Sequence, residues 1–129
     1  MCVCACASRM RGRLAFVEDA ACSGGFYIAS AADEIIADPS SLVGSIGVIS
    51  RGFGYVKHIK KQGVTRRVHT AGDAKSGIDP FMKMRKKDLK SQRRILEEIH
   101  SNFITAVKEG RGDRLKPEAA AKLHAQTSG

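Results

Sequence analysis

Long hydrophobic runs are missing from this chain: no segment approaches the roughly 20 apolar residues that a spanning helix needs. Hydrophobic residues still make up 43% of the 129, which suits a globular chain with one modest core and argues against disorder. Aromatics are scarce, at 5% with no tryptophan. The excess of 22 basic over 13 acidic residues therefore lacks the stacking surface that base recognition uses, and no nucleic-acid partner is expected. The cations concentrated in Lys83, Arg85, Lys86, Lys87, Lys90, Arg93 and Arg94 read as a solvated helix face. The four cysteines, at 2, 4, 6 and 22, lack the paired two-to-four-residue gaps of structural zinc sites, so neither a metal site nor a disulfide framework is expected. No basic segment precedes the short apolar start, so these first residues are not expected to act as a signal peptide. Residues 1–13 are expected to form a poorly ordered extension outside the domain. His58, His69, His100 and His124 all fall outside glycine-rich loops that hold an orienting acid, so histidine-based catalysis has no support.

What is present alternates between strand and helix patterns. Leu14–Val17 is a short apolar run suited to a buried strand. Glycines and small residues follow Ser23, and a helix is predicted from there to about Ala32. Glu34–Ala37 reads as a second strand, stopped by Asp38-Pro39. Leu42–Ile49 is an apolar run in which Gly44 and Gly47 flank Ser45 and Ile46, a mark of close backbone approach. A helix is predicted over Phe53–Lys61, ending at Gly63, and the alternation of Thr65–Thr70 predicts a strand. After a glycine-rich loop over 71–80 comes a long helix from about Lys83 to Glu109, with Leu89, Leu96, Ile99, Phe103 and Val107 on one stripe. Another helix begins at Pro117. The order implies an α/β unit built on crossovers.

Three polar residues sit on loops or turns: Ser23, Ser45 and Lys75. Ser23 stands at a loop-to-helix junction, where backbone N–H groups and the positive helix end lie beside its oxygen. That position suits an N-cap and also suits a nucleophile. A serine hydroxyl needs a base to take its proton. Lysine serves if burial lowers its pKa from about 10.4 toward about 7–8. Lys75 is the lysine set apart from the basic helix, between small residues; an exposed loop lysine is the other reading of it.

Residues 14–38, with Cys22-Ser23-Gly24-Gly25-Phe26-Tyr27-Ile28-Ala29 and Ala32-Asp33-Glu34-Ile35, resemble the signal peptide peptidase A family, also called protease IV. Gly44-Ser45-Ile46-Gly47-Val48 resembles that family's next block. Thr70-Ala71-Gly72-Asp73-Ala74-Lys75 with Asp79-Pro80-Phe81 is similar to its SohB-like branch. Three ordered blocks, with Ser45 and Lys75 at the family's separations from Ser23, are more specific than any one of them. The resemblance covers about residues 14–115, leaving 116–129 as a C-terminal helix and tail.

The resemblance implies a ClpP/crotonase-type fold of repeated ββα units and a serine endopeptidase acting on signal-peptide remnants or unfolded polypeptides. Ser23 would be the nucleophile, Lys75 the general base, and Ser45 the residue that positions the lysine. Gly24, Gly25, Gly44 and Ile46 would line the bound peptide, held by strand addition. The family needs no metal or nucleotide cofactor, is typically membrane-associated, and forms homo-oligomers whose dyads can be completed between subunits. Its members carry, before the serine block, further strands and a glycine-rich turn that donates an oxyanion N–H; residues 1–13 do not match that segment. An incomplete domain lacking those N-terminal strands is therefore expected. With it comes an alternative reading as an inactive scaffold or oligomerisation module of the same fold.

Overall fold

A computed structural model describes residues 3–8, 11–72 and 77–119, with side chains from residue 12 onward. It divides into two compact units, Met1–Val48 with Glu98–Gly129, and Ile49–Glu97.

The first unit is α/β. Strand β1 (Val3–Ser8) runs antiparallel to β2 (Arg11–Val17), and β2 pairs in parallel with β4 (Glu34–Ala37), Ala15 opposite Ile35. A second pair is parallel too: β3 (Ala20–Cys22) with β5 (Leu42–Gly44), Cys22 opposite Gly44. Parallel neighbours need a crossover, and helix α1 (Gly24–Ser30) lies in the connection from β2 to β4 and in that from β3 to β5. The strand expected at Leu14–Val17 is thus part of β2, and the one at Glu34–Ala37 is β4. Residues 3–8 differ from the expectation of a poorly ordered extension, because they pair along β2 and satisfy its outer backbone groups. The apolar run from Leu42 is a strand only as far as Gly44, where the backbone turns to a φ of 116°.

Small residues let the layers meet. Ala15 and Val17 on β2 are buried while Phe16 between them is not, the period of a strand with one inward face. Ala15 packs with Ala29 and Ala32 of the α1 segment, and Ile35 closes the cluster. The unit's other cluster is Phe103, Ile104 and Val107 from the far half of helix α3 (Lys86–Arg111), joined by Phe26, Ile46 and Leu115. Burying three such side chains contributes about 1.5–3 kcal/mol each. Gly110 lies so close to the end of α1 that a Cβ there would stand 2.3 Å from the Ser30 carbonyl oxygen. Arg111 Nη1 donates to the Ala32 carbonyl at 2.7 Å, and Arg114 Nη1 donates to that of Asp33. A 3-10 turn over Gly112–Arg114 follows α3, and residues 117–119 are helical.

The second unit holds helix α2 (Val56–Lys61), which ends before Gly63 at a φ of 71°, and the near half of α3. Tyr55 stacks on Phe81 at 5.5 Å, and the Arg66 guanidinium lies 5.8 Å from the Phe81 ring centre. Thr65–Thr70, expected as a strand, has no regular structure. Alternation specifies a strand only where a ladder partner exists, and here Arg66 is instead tied to Asp79 at 3.0 Å.

Candidate active site

The pairing of β3 with β5 decides where Ser23 and Ser45 sit. Each is the residue that follows its strand, and the Ser23 N–H extends the ladder by donating to the Gly44 carbonyl at 2.8 Å. The two serines therefore leave the same sheet edge side by side. Both have a positive φ, 51° for Ser23 and 53° for Ser45, and they are the only non-glycine residues that do among the described residues. Ser23 combines that φ with a ψ of −117°, far from any regular conformation. Such backbones cost of order 1–3 kcal/mol and collect at functional sites.

Ser23 is the residue before α1, yet its hydroxyl makes no capping hydrogen bond. The Ser23 carbonyl accepts the Tyr27 N–H at 3.0 Å, so the helix is tied to the turn through the backbone. The side chain of Ser23 is exposed, and so is that of Ser45. Gly24 is exposed, with open space where a Cβ would stand, whereas Gly25 is buried against the unit. Ile46 packs on the Phe103 cluster. Next to Ser23, Cys22 is half-buried, with its Sγ 3.5 Å from the Leu42 carbonyl. Lys75 lies outside the described residues, as does His124.

Two features that sequence reasoning missed hold α1 from its far end. One is the Gly110–Arg111–Arg114 contact already described; a glycine inside an otherwise strong helix was its only signal. The other is Asp33, whose carboxylate accepts the Arg13 backbone N–H at 2.6 Å and joins the start of β4 to β2. That hydrogen bond, more than the Arg13 charge, holds the Asp33 carboxyl below its ordinary value of 3.8. Among the described residues no group of three or more His, Cys, Asp or Glu could hold a metal ion, and no helix is long and apolar enough to cross a membrane.

Residues 11–128 match Peptidase family S49. A protein of Enterococcus faecium named as a signal peptide peptidase SppA is 32% identical over 94 residues, 73% of this chain and 27% of that protein. A protein of Haemophilus influenzae named as a protease SohB is 33% identical over 95 residues, 74% of this chain and 27% of that protein. A Na(+)/H(+) antiporter NhaA of Brucella abortus is 54% identical over 100 residues, which are 78% of this chain and 14% of that protein. The chain thus spans about a quarter of the proteases and about a seventh of the antiporter.

Proposed function

The chain belongs to peptidase family S49, a family of serine-type peptidases, and from that premise we propose that it hydrolyses peptide bonds with a Ser23–Lys75 dyad. The observation that carries the reading is the pair of strained serines, Ser23 and Ser45, at one edge of the β3–β5 sheet. Ser23 Oγ attacks the carbonyl carbon of an unfolded polypeptide or signal-peptide remnant, and its proton passes to the neutral Lys75 amine. The tetrahedral intermediate collapses as Lys75 returns that proton to the leaving amine. Water, deprotonated by the same lysine, then releases the acyl group from Ser23. Ser45 donates or accepts a hydrogen bond that orients the lysine. Gly24 and Gly44 leave room for the peptide backbone, the buried Gly25 lets the start of α1 pack closely beneath them, and Ile46, packed on the core cluster, supports that wall from behind.

We place the fold with the ClpP/crotonase type and the working form as a homo-oligomer in which neighbouring copies complete the site. Transport stays with the antiporter, of which 14% aligns here. The test is hydrolysis of an unfolded fluorogenic polypeptide by the full chain. Ser23→Ala and Lys75→Ala should each lower turnover on the order of 10⁴-fold or more, since nucleophile and base act as one unit. Unchanged turnover in either variant sinks the dyad.

A further inference from the structure

The surplus charge of this chain is confined to one unit. Ile49–Glu97 carries 14 of the 22 basic residues and 4 of the 13 acidic ones, while the other unit carries 8 and 9. The surface imbalance is steeper than those counts. Asp79 is held by Arg66 at 3.0 Å and Asp88 by Arg85 at 2.5 Å, and both carboxylates are only 10% exposed. By contrast Lys57, Lys60, Lys61, Lys87 and Lys90 are exposed.

This unit also contains a groove of about 820 Å³. Its walls are apolar at Val68, Ile78, Phe81 and Ile95, and its charged lining is balanced, Arg66 and Lys87 against the arginine-held Asp79 and Asp88. The groove therefore suits an apolar stretch, and the surplus cations lie on the surface around it. Thr70 and Gly77 line it as well. A hollow of this volume with apolar walls can take side chains of a polypeptide, and a planar bilayer would not enter it. The unit's aromatics, Phe53, Tyr55 and Phe81, pack in one cluster with Arg66 over Phe81 rather than forming a row of platforms for successive bases.

We propose that this basic unit selects polypeptides bearing acidic segments, with an apolar stretch seated in the groove and the flanking carboxylates facing the exposed lysines. The inference rests on the peptidase reading above and names its substrate class. A local potential of this sign concentrates anionic chains and raises their capture, while screening by salt removes the advantage.

The test measures binding, so that it stands apart from catalysis. Ser23→Ala protein is titrated against two fluorescein-labelled unfolded peptides with one apolar centre, flanked by glutamates in one and by lysines in the other. At low ionic strength the glutamate peptide is expected to bind about tenfold or more tighter, and the gap should close toward ~0.5 M salt. Lys60→Glu/Lys87→Glu, two exposed changes, should erase the preference and leave the thermal midpoint unchanged. Equal binding of both peptides, no binding of either, or a preference that survives the double change overturns the proposal. So does tighter capture of phosphatidylglycerol vesicles or of a single-stranded oligonucleotide than of the glutamate peptide. Hydrolysis by wild-type protein that persists in Ser23→Ala would refute the dyad and leave this binding result standing.

Discussion

Ser45 combines a hydroxyl with a left-handed backbone, and two substitutions separate them. Its φ of 53° is easy for glycine and strained for any residue with a Cβ. Ser45→Ala removes the hydroxyl and keeps the strain, whereas Ser45→Gly removes both. The glycine variant should therefore be the more stable by about 1 kcal/mol, read as the difference in thermal midpoint. If the hydroxyl orients Lys75, both variants should lose turnover alike despite that gap. Full turnover in Ser45→Gly would remove Ser45 from the mechanism. Gly24 offers the opposite separation, because open space surrounds the position of its absent Cβ and its φ is not positive. Gly24→Ala should leave the thermal midpoint within about 0.5 kcal/mol of wild type and still slow peptide turnover, if the peptide backbone runs over it.

Helix α1 is short, and what fixes it lies in other elements. The approach of Gly110 to the Ser30 carbonyl means that Gly110→Ala must push backbone against backbone. Overpacking of this kind costs typically 1–3 kcal/mol, so calorimetry should show the midpoint lower by several degrees. A midpoint within a degree of wild type would show that the contact is slack. Asp33 gives the same region a pH dependence. Its folded carboxyl is held below 3.8 by the Arg13 N–H, so its contribution is complete above that pH and is lost as pH falls through the lower folded value. Midpoints measured from pH 6 down to about pH 2 should fall less steeply in Asp33→Asn than in wild type; parallel curves would contradict the assignment. These contacts mark what the sequence could and could not show. The β2–α1–β4 order was legible, because each element carries its own periodicity and its own stop at glycine or Asp38-Pro39. The sequence offered Ser23 and Ser45 only as two residues at family spacing; that they leave neighbouring strands together follows from the β3–β5 pairing, which no local pattern announces. Thr65–Thr70 misled because a strand needs a partner, and pairing is written in two segments at once. The Gly110 and Arg114 contacts were hidden for the same reason, being about 80 residues from the backbone they hold.

Both units expose apolar side chains, but only one carries the surplus charge, and this difference sets how copies of the protein should associate. The near-neutral unit leaves Phe16, Tyr27, Ile28, Ile36, Leu42 and Val43 each more than 40% exposed. Strands β4 and β5 each have one ladder neighbour among the described residues. Apolar residues beside open edges mark surfaces that bind other chains. The basic unit repels its own copies, so contact between copies should run through the near-neutral one. Sedimentation velocity over rising concentration should then show self-association, and Leu42→Glu, at a residue 68% exposed on β5, should shift it toward monomer without lowering the thermal midpoint. Salt distinguishes this contact from peptide capture. Raising ionic strength should leave apolar association unchanged or strengthen it, while the preference for glutamate peptides fades over the same range. A chain that stays monomeric at every concentration, or dissociates as salt rises, would rule out an apolar interface through β5.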